Sequence, residues 1–224
     1  CDMADKLEAA EDLPMALHDM IKDTIAAHKR IIFNGNGYSD EWVAEAERRG
    51  LPNIKCMVDA VPALVKPEAV EIFEKHGVYT KAEMESRAEV MYETYSKTIN
   101  IEALTMIDMA KKQIVPATIK YQTSLAESVN AIKAASSAVD TSVQEALMAD
   151  ISTNLKDMYV ALAHLEEVAG KAEAMEEGAE QGHYYHDVVF TAMDELRKPA
   201  DKLEMLVAKS AWPFPSYGDL IFEV

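Results

Sequence analysis

Cysteine is nearly missing from this chain, and the two present, Cys1 and Cys56, share no metal-ligand spacing. A disulfide scaffold is therefore excluded, neither residue reads as a nucleophile, and a cytoplasmic location is expected. Glycine and proline are scarce, eight of each in 224 residues, while methionine reaches 13 and alanine and glutamate are abundant. That balance argues against a turn-rich sheet and for packed helices. Basic charge is also short, with 22 Lys and Arg against 39 Asp and Glu and a formal net charge of −17. Phosphate binding needs a concentrated positive face, so a nucleic-acid partner is excluded. No window approaches the roughly eighteen apolar residues of a membrane span, and the first residues lack the order of a signal peptide, so no membrane partner is expected. The length suffices to bury roughly 70% of the unfolded surface without staples. Met3 and Leu7 continue a helical spacing with no capping residue ahead of them, so the chain reads as a piece of a longer protein.

The longest continuous pattern runs from Thr80 to about Ala135. Thr80 and Glu83 form a capping box, which starts a helix. Apolar side chains follow at Met84, Ala88, Met91, Tyr95, Ile99, Leu104, Ile107, Ile114, Tyr121, Leu125, Val129 and Ile132, mostly three or four apart. Pro116 lies inside this stripe and predicts a kink or break near Ile114 and Val115. Thr141 with Gln144 repeats the box logic before a second stripe, Val143, Leu147, Ile151, Leu155, Met158, Leu162, Leu165 and Val168. An acidic link over 176–182 leads to a third helix carrying Val189, Met193, Leu196, Leu203, Leu206 and Val207, with Pro199 inside it. Three long helices with short links are expected to stack antiparallel.

Ahead of them the elements are short. Asp12 and Pro14 start a helix to about Lys29, with Leu17, Met20, Ile21 and Ile25 on one side. Asn34-Gly35-Asn36-Gly37 is a turn, Ser39 caps a helix from Asp40 to about Arg49, and Gly50 stops it. Residues 51–65 read as irregular or partly extended, and Pro67 opens a helix closed by Gly77. The last residues, Trp212-Pro213-Phe214-Pro215 through Tyr217, Leu220, Ile221 and Phe222, are too aromatic to remain in water and are expected to dock. The fold class is mainly α: short helices, an antiparallel bundle of three long helices, and a docked aromatic tail.

Candidate chemistry is thin. The Asn34–Gly37 loop lacks the Lys and Ser/Thr of a phosphate loop and the third glycine of a dinucleotide fingerprint, so it reads as a plain turn. Glu180, His183 and His186 could offer metal ligands from one helical face, but a di-metal bundle needs a second such motif, and Gly182 interrupts this one. His164 reads as a packed or rim histidine. Glu166, Glu167, Glu173, Glu176, Glu177 and Glu180 form a solvated acidic face, and Lys111, Lys112 and Lys120 the wet side of the long helix. The methionines at 84, 91, 106, 109, 158 and 193 read as core filler. No Ser/His/Asp, Cys/His or paired-carboxylate set can be assembled, so no catalytic, cofactor-binding or metal residue is assigned.

Three stretches go beyond periodicity. The first runs His28-Lys29-Arg30-Ile31-Ile32-Phe33-Asn34-Gly35-Asn36-Gly37-Tyr38-Ser39, then Glu41-Trp42, Glu45-Ala46-Glu47 and Arg49-Gly50-Leu51. The second runs Lys97-Thr98-Ile99-Asn100-Ile101-Glu102-Ala103-Leu104, then Ile107-Asp108-Met109-Ala110 and Ile114-Val115-Pro116. The third runs Met193-Asp194-Glu195-Leu196-Arg197, Pro199-Ala200-Asp201 and Trp212-Pro213-Phe214-Pro215-Ser216-Tyr217-Gly218-Asp219. In order, these resemble the C-terminal region of type III glutamine synthetase. The resemblance implies an ATP-dependent ligase joining ammonia to glutamate, with divalent Mg or Mn, in homo-oligomeric rings. It places the family's metal, nucleotide and glutamate contacts upstream of Cys1, so none is carried over and the piece alone is expected to be inactive. It divides the chain into 1–79, the end of the catalytic domain with connecting helices; 80–209, the bundle; and 210–224, the docking tail. Expected partners are its own catalytic domain and neighbouring subunits. Rival readings are a stand-alone helical adaptor and a metal-binding helical protein using Glu180, His183 and His186.

Overall fold

The computed structural model describes residues 2–215 and 217–222 of the chain; Cys1, Ser216, Glu223, Val224 and the Tyr217 side chain lie outside the described residues. Among the described residues there is no strand, and no helix is long and apolar enough to cross a membrane. The chain packs as two units, Cys1–Lys55 and Cys56–Val224.

The first unit holds α1 (Asp2–Glu8), α2 (Leu13–His28), a 3₁₀ turn (Lys29–Ile31) and α3 (Asp40–Arg48). Asp12 accepts from the Met15 amide and Ser39 from the Trp42 amide, so both predicted caps form. The loop between α2 and α3 is tied down by aromatic and guanidinium contacts. Phe33 stacks on Trp42 with centroids 4.1 Å apart, and the Arg49 guanidinium lies over the same indole. Arg49 also donates to the Arg30 and Ile32 carbonyls at 3.2 and 2.8 Å. Gly35 is required here: a Cβ would sit 2.6 Å from the Phe33 ring. The α2 stripe, however, is not a core. Leu17, Ile21 and Ile25 are 44%, 51% and 50% exposed, and no residue of α1, α2 or α3 is buried.

The second unit begins with a departure from the sequence reading. Residues 57–64, expected to be irregular, form α4 (Met57–Leu64) with Pro62 inside it and Val58 and Val61 buried. Proline at 62 leaves the Val58 carbonyl without its helical donor. The Tyr92 hydroxyl takes that role, donating to Val58 O at 3.3 Å. α5 (Pro67–Lys75) follows, and Gly77 at φ +63 ends it.

α6 (Lys81–Met109), a π-helical segment π1 (Ala110–Ile114) and α7 (Val115–Ala135) are consecutive. The Thr80–Glu83 box is present in both directions. The expected kink takes the form of π1, and two causes converge on it. In an α turn the Pro116 ring would strike the Lys112 carbonyl, which lies inside π1. The buried stripe also runs long: from Met84 to Val129 it covers about 45 positions in about twelve turns, or about 3.75 residues per turn. A straight α-helix at 3.6 would carry that stripe roughly half a turn off its partner, and one wide turn absorbs about one residue of the excess. Leu104, assigned to the stripe, is 49% exposed, and Ala103 is buried in its place; Met91 is likewise exposed while Tyr92 is buried.

α8 (Ser142–Glu173) is the uninterrupted centre. Its start is capped differently from expectation: Asp140 accepts from the Ser142 amide at 2.9 Å, while the Thr141 hydroxyl donates to Glu145. Val143, placed in the stripe, is 77% exposed. Gly178 at φ +140 closes the link, so α9 (Ala179–Tyr184) starts earlier than expected and Gly182 lies inside it. A second π segment, π2 (Tyr185–Val189), leads into α10 (Phe190–Leu206). Lys111 pairs with Glu166, Gln122 reaches the Met148 carbonyl and Lys133 pairs with Glu145, so α6–α7 and α8 run antiparallel. The core joins Ile99, Ala103, Ile151, Met158, Leu162, Leu165, Leu196 and Leu203. Each fully buried leucine contributes about 1.5–3 kcal/mol.

Candidate functional site

One concave surface of the second unit is a groove between α6 and α10. One lobe, about 440 Å³, has Met106, Ala110 and Ile114 on one wall and Leu196, Ala200 and Glu204 on the other. Residues of the chain's own tail contribute to its lining: Trp212, Phe214, Pro215 and Leu220 border it, Trp212 and Phe214 pack edge to face, 6.2 Å between centroids, against the main core, and Leu220 stays 65% exposed. The neighbouring lobe, about 520 Å³, is lined by Ile101, Thr105, Met106, Phe190, Met193 and Arg197. Met106 and Arg197 line both lobes, so they form one trough. Ile101 and Phe190 at the second lobe are 64% and 51% exposed. The charges beside it are locally balanced: Arg197 donates to Asp201 at 3.2 Å and Lys198 pairs with Asp194 at 2.7 Å. Beyond the trough, the short helix α11 (Tyr217–Phe222) leaves Ile221 and Phe222 66% and 80% exposed.

A second cluster joins α4 to α9. The Cys56 thiol donates to Asp59 at 3.0 Å, and the other Asp59 oxygen lies 3.8 Å from His183 Nδ1. The hydrogen bond to Asp59 and burial push the Cys56 thiol up, which keeps it protonated and weakly nucleophilic. Burial also raises Tyr92, whose ring packs against Gly182. Sequence spacing gave no hint of this cluster, because Asp59 and His183 lie far apart in the chain.

The sequence candidates separate in space. His183 faces Asp59, whereas His186 bonds Asp187 at 2.7 Å and lies beside Tyr95, and Glu180 is exposed. Among the described residues no group of three or more His, Cys, Asp or Glu is placed to hold a metal ion. His164 is exposed, Glu166 pairs with Lys111 and Glu167 with Lys171. Lys112 pairs with Asp108, and Lys120 is exposed. Met84, Met158 and Met193 are core, while Met106 and Met109 line the lobe bordered by Trp212 and Phe214. The Asn34–Gly37 loop is a turn in which Asn36 accepts from the Tyr38 amide.

Comparison with known proteins decides the family. A model of the glutamine synthetase C-terminal domain matches residues 16–133. The chain belongs to this family. The glutamine synthetase C-terminal domain here is 37% identical over 216 residues, 96% of the chain, to a glutamine synthetase of Butyrivibrio fibrisolvens. It is 29% identical over 92% of the chain to the type-3 glutamine synthetase of Dictyostelium discoideum, and 30% identical over 92% to a glutamine synthetase of Bacteroides fragilis (strain YCH46). The chain spans 31% of the first and 29% of the other two. Within this family the first resemblance stretch acquires a physical meaning: Arg30, Phe33, Gly35, Asn36, Ser39, Trp42, Glu45 and Arg49 are the residues that build the loop clamp.

Proposed function

We propose that this chain is the assembly-bearing C-terminal part of a type III glutamine synthetase, in which the complete protein joins ammonia to glutamate at the expense of ATP. The observation that carries the reading is the 37% identity across 96% of the chain to a glutamine synthetase of which it spans 31%. The chemistry belongs to the remaining length. Among the described residues no group of three or more His, Cys, Asp or Glu is placed to hold a metal ion, in keeping with ATP and Mg or Mn being bound by the remaining length. The chain alone makes no glutamine.

Two features support an assembly role. The first unit exposes the Leu17–Ile21–Ile25 stripe and has no buried residue among its described residues, as suits a segment completed by the catalytic domain. The second unit has its own core and presents an apolar trough, as suits contact with a neighbouring subunit in a cytoplasmic homo-oligomeric ring. The test compares the complete polypeptide, a truncation before Ser210 and this chain by ATP-dependent glutamine formation and by native mass. Glutamine made by the chain alone, or a truncated protein that assembles and melts like the parent, refutes the reading.

A further inference from the structure

We propose that Tyr38, at the tip of the α2–α3 loop, anchors the first unit to the part of the polypeptide that lies outside these 224 residues, its ring entering an apolar slot with a hydrogen-bond partner for the hydroxyl at the far end. The contact rests on the reading of the chain as the C-terminal part of a longer enzyme and identifies the side chain that makes it. The Tyr38 side chain is fully in solvent, with an exposure of 100%, while the backbone beneath it is held fast. Its amide donates to Asn36 Oδ1 at 3.0 Å, and the Ser39 hydroxyl donates to the Asn36 carbonyl at 3.0 Å. Deeper in the loop, Arg49 donates to the Ile32 carbonyl, is itself pinned by Glu45 at 2.6 Å, and lies over the Trp42 indole on which Phe33 stacks. None of these contacts uses the Tyr38 ring. The clamp fixes the turn, and the turn presents the ring.

Fixing an exposed loop costs conformational entropy, which burial normally offsets. The first unit has no buried residue among its described residues, so nothing within it supplies that offset. A side chain held in its bound geometry before contact loses little freedom on docking, and a tyrosine brings a large face with only two side-chain torsions. Charge points the same way. Residues 31–39 carry no charged side chain in a chain that is 27% charged with a net −17, so the tip can be desolvated without stranding a charge. Length selects the occupant. The chain spans 31% of the glutamine synthetase to which it is 37% identical, so the greater part of that protein lies outside the match. Another segment of the same polypeptide is present at high effective concentration and fixed stoichiometry, as a unit that buries none of its described residues requires.

The experiment nitrates tyrosines under native conditions with tetranitromethane, on this chain and on the complete polypeptide, and follows the Tyr38 peptide by mass spectrometry beside ATP-dependent glutamine formation. Tyr38 is expected to react freely in this chain at every concentration and to be protected roughly tenfold or more in the complete polypeptide. Tyr38→Ala should leave the melting of this chain unchanged, because the side chain is fully exposed there, and should lower that of the complete polypeptide, with Tyr38→Phe falling between. Equal reactivity in the two proteins, or protection with no loss of melting temperature on Tyr38→Ala, overturns the anchor; a complete polypeptide that still makes glutamine then leaves the underlying reading standing. Protection that grows with the concentration of this chain alone assigns the ring to a second copy and overturns the choice of occupant. A complete polypeptide that makes no glutamine sinks the underlying reading, while the reactivity of Tyr38 still decides the anchor.

Discussion

Replacing Thr118 by valine should stabilise the protein, although it removes a polar group. Thr118 sits in α7 two residues past Pro116, is fully buried, and its hydroxyl has no hydrogen-bond partner. A buried hydroxyl left without a partner costs roughly 1–3 kcal/mol, whereas an apolar group of the same shape carries no such penalty. Valine is that group, and its helix propensity is close to that of threonine, so the backbone contributes little to the difference. The expected gain is about 1–2 kcal/mol, or roughly 2–8 °C in Tm for a chain of this size. Thr118→Ser supplies the control, because it keeps the hydroxyl, loses the methyl group and should melt below the parent by about 1 kcal/mol. Thermal unfolding followed by far-UV circular dichroism reads all three. A Thr118→Val protein melting at or below the parent refutes the reasoning, since the hydroxyl would then be contributing a hydrogen bond.

Arg48 and Arg49 each donate to Glu45 at 2.6 Å and hold its carboxyl at about 2, well below its ordinary 4.5. The folded value lies below the unfolded one, so the contribution is full above about 4.5 and disappears as pH falls towards 2; an NMR titration of Glu45 centred near 4.5 would contradict the clamp. Gly182→Ala places a Cβ 3.0 Å from the Tyr92 ring and 3.4 Å from Val58, so a loss of about 1–3 kcal/mol is expected in urea unfolding, and an unchanged midpoint argues against close α4–α6–α9 packing. Deleting Lys112 together with Pro116→Ala should turn π1 into a plain α turn and keep the flanking stripes in register, within about 1 kcal/mol of the parent. Deleting Glu127 from uninterrupted helix should rotate all that follows by about 100° and abolish cooperative melting; equal damage from the two deletions excludes the register argument.

The features readable in the sequence are those set by neighbours in the chain. The Thr80–Glu83 box, the Asp12 and Ser39 caps and the glycines at 50 and 77 each depend on a residue and its next three or four, and each appears where expected. Proline misled in one place and informed in another. Pro62 argued for irregular chain, yet α4 forms because a hydroxyl from Tyr92, remote in sequence, satisfies the carbonyl that proline leaves open. Pro116 did mark the irregular turn, but as a wide turn inside a continuing helix. Leu104 and Val143 failed because nearby residues, Ala103 and Thr141, take the buried positions in their place. The trough was legible only as an excess of aromatic residues at the end of the chain, since its walls come from helices about a hundred residues apart.

The extent of the family match bears on what the domain needs in order to fold. The matched residues, 16–133, end with α7, two positions short of Ala135. Within that range the α6–α7 stripe has nothing to close on: the residues that cover Ile99, Ala103, Ala110 and Ile114 are Ile151, Met158, Leu162 and Leu165 of α8 and Leu196 and Leu203 of α10. A chain ending at Lys133 would leave that face in water, at about 25 cal/mol for every Å² of apolar surface uncovered, with only α4 and α5 packed near its start. The relatives align across 92–96% of this chain, and so through α8 and α10 as well. The cooperative unit is therefore larger than the matched segment: α8 serves as the common partner of two helices that each carry a π turn, and the stretch after residue 133 supplies most of the core on which the earlier stretch depends.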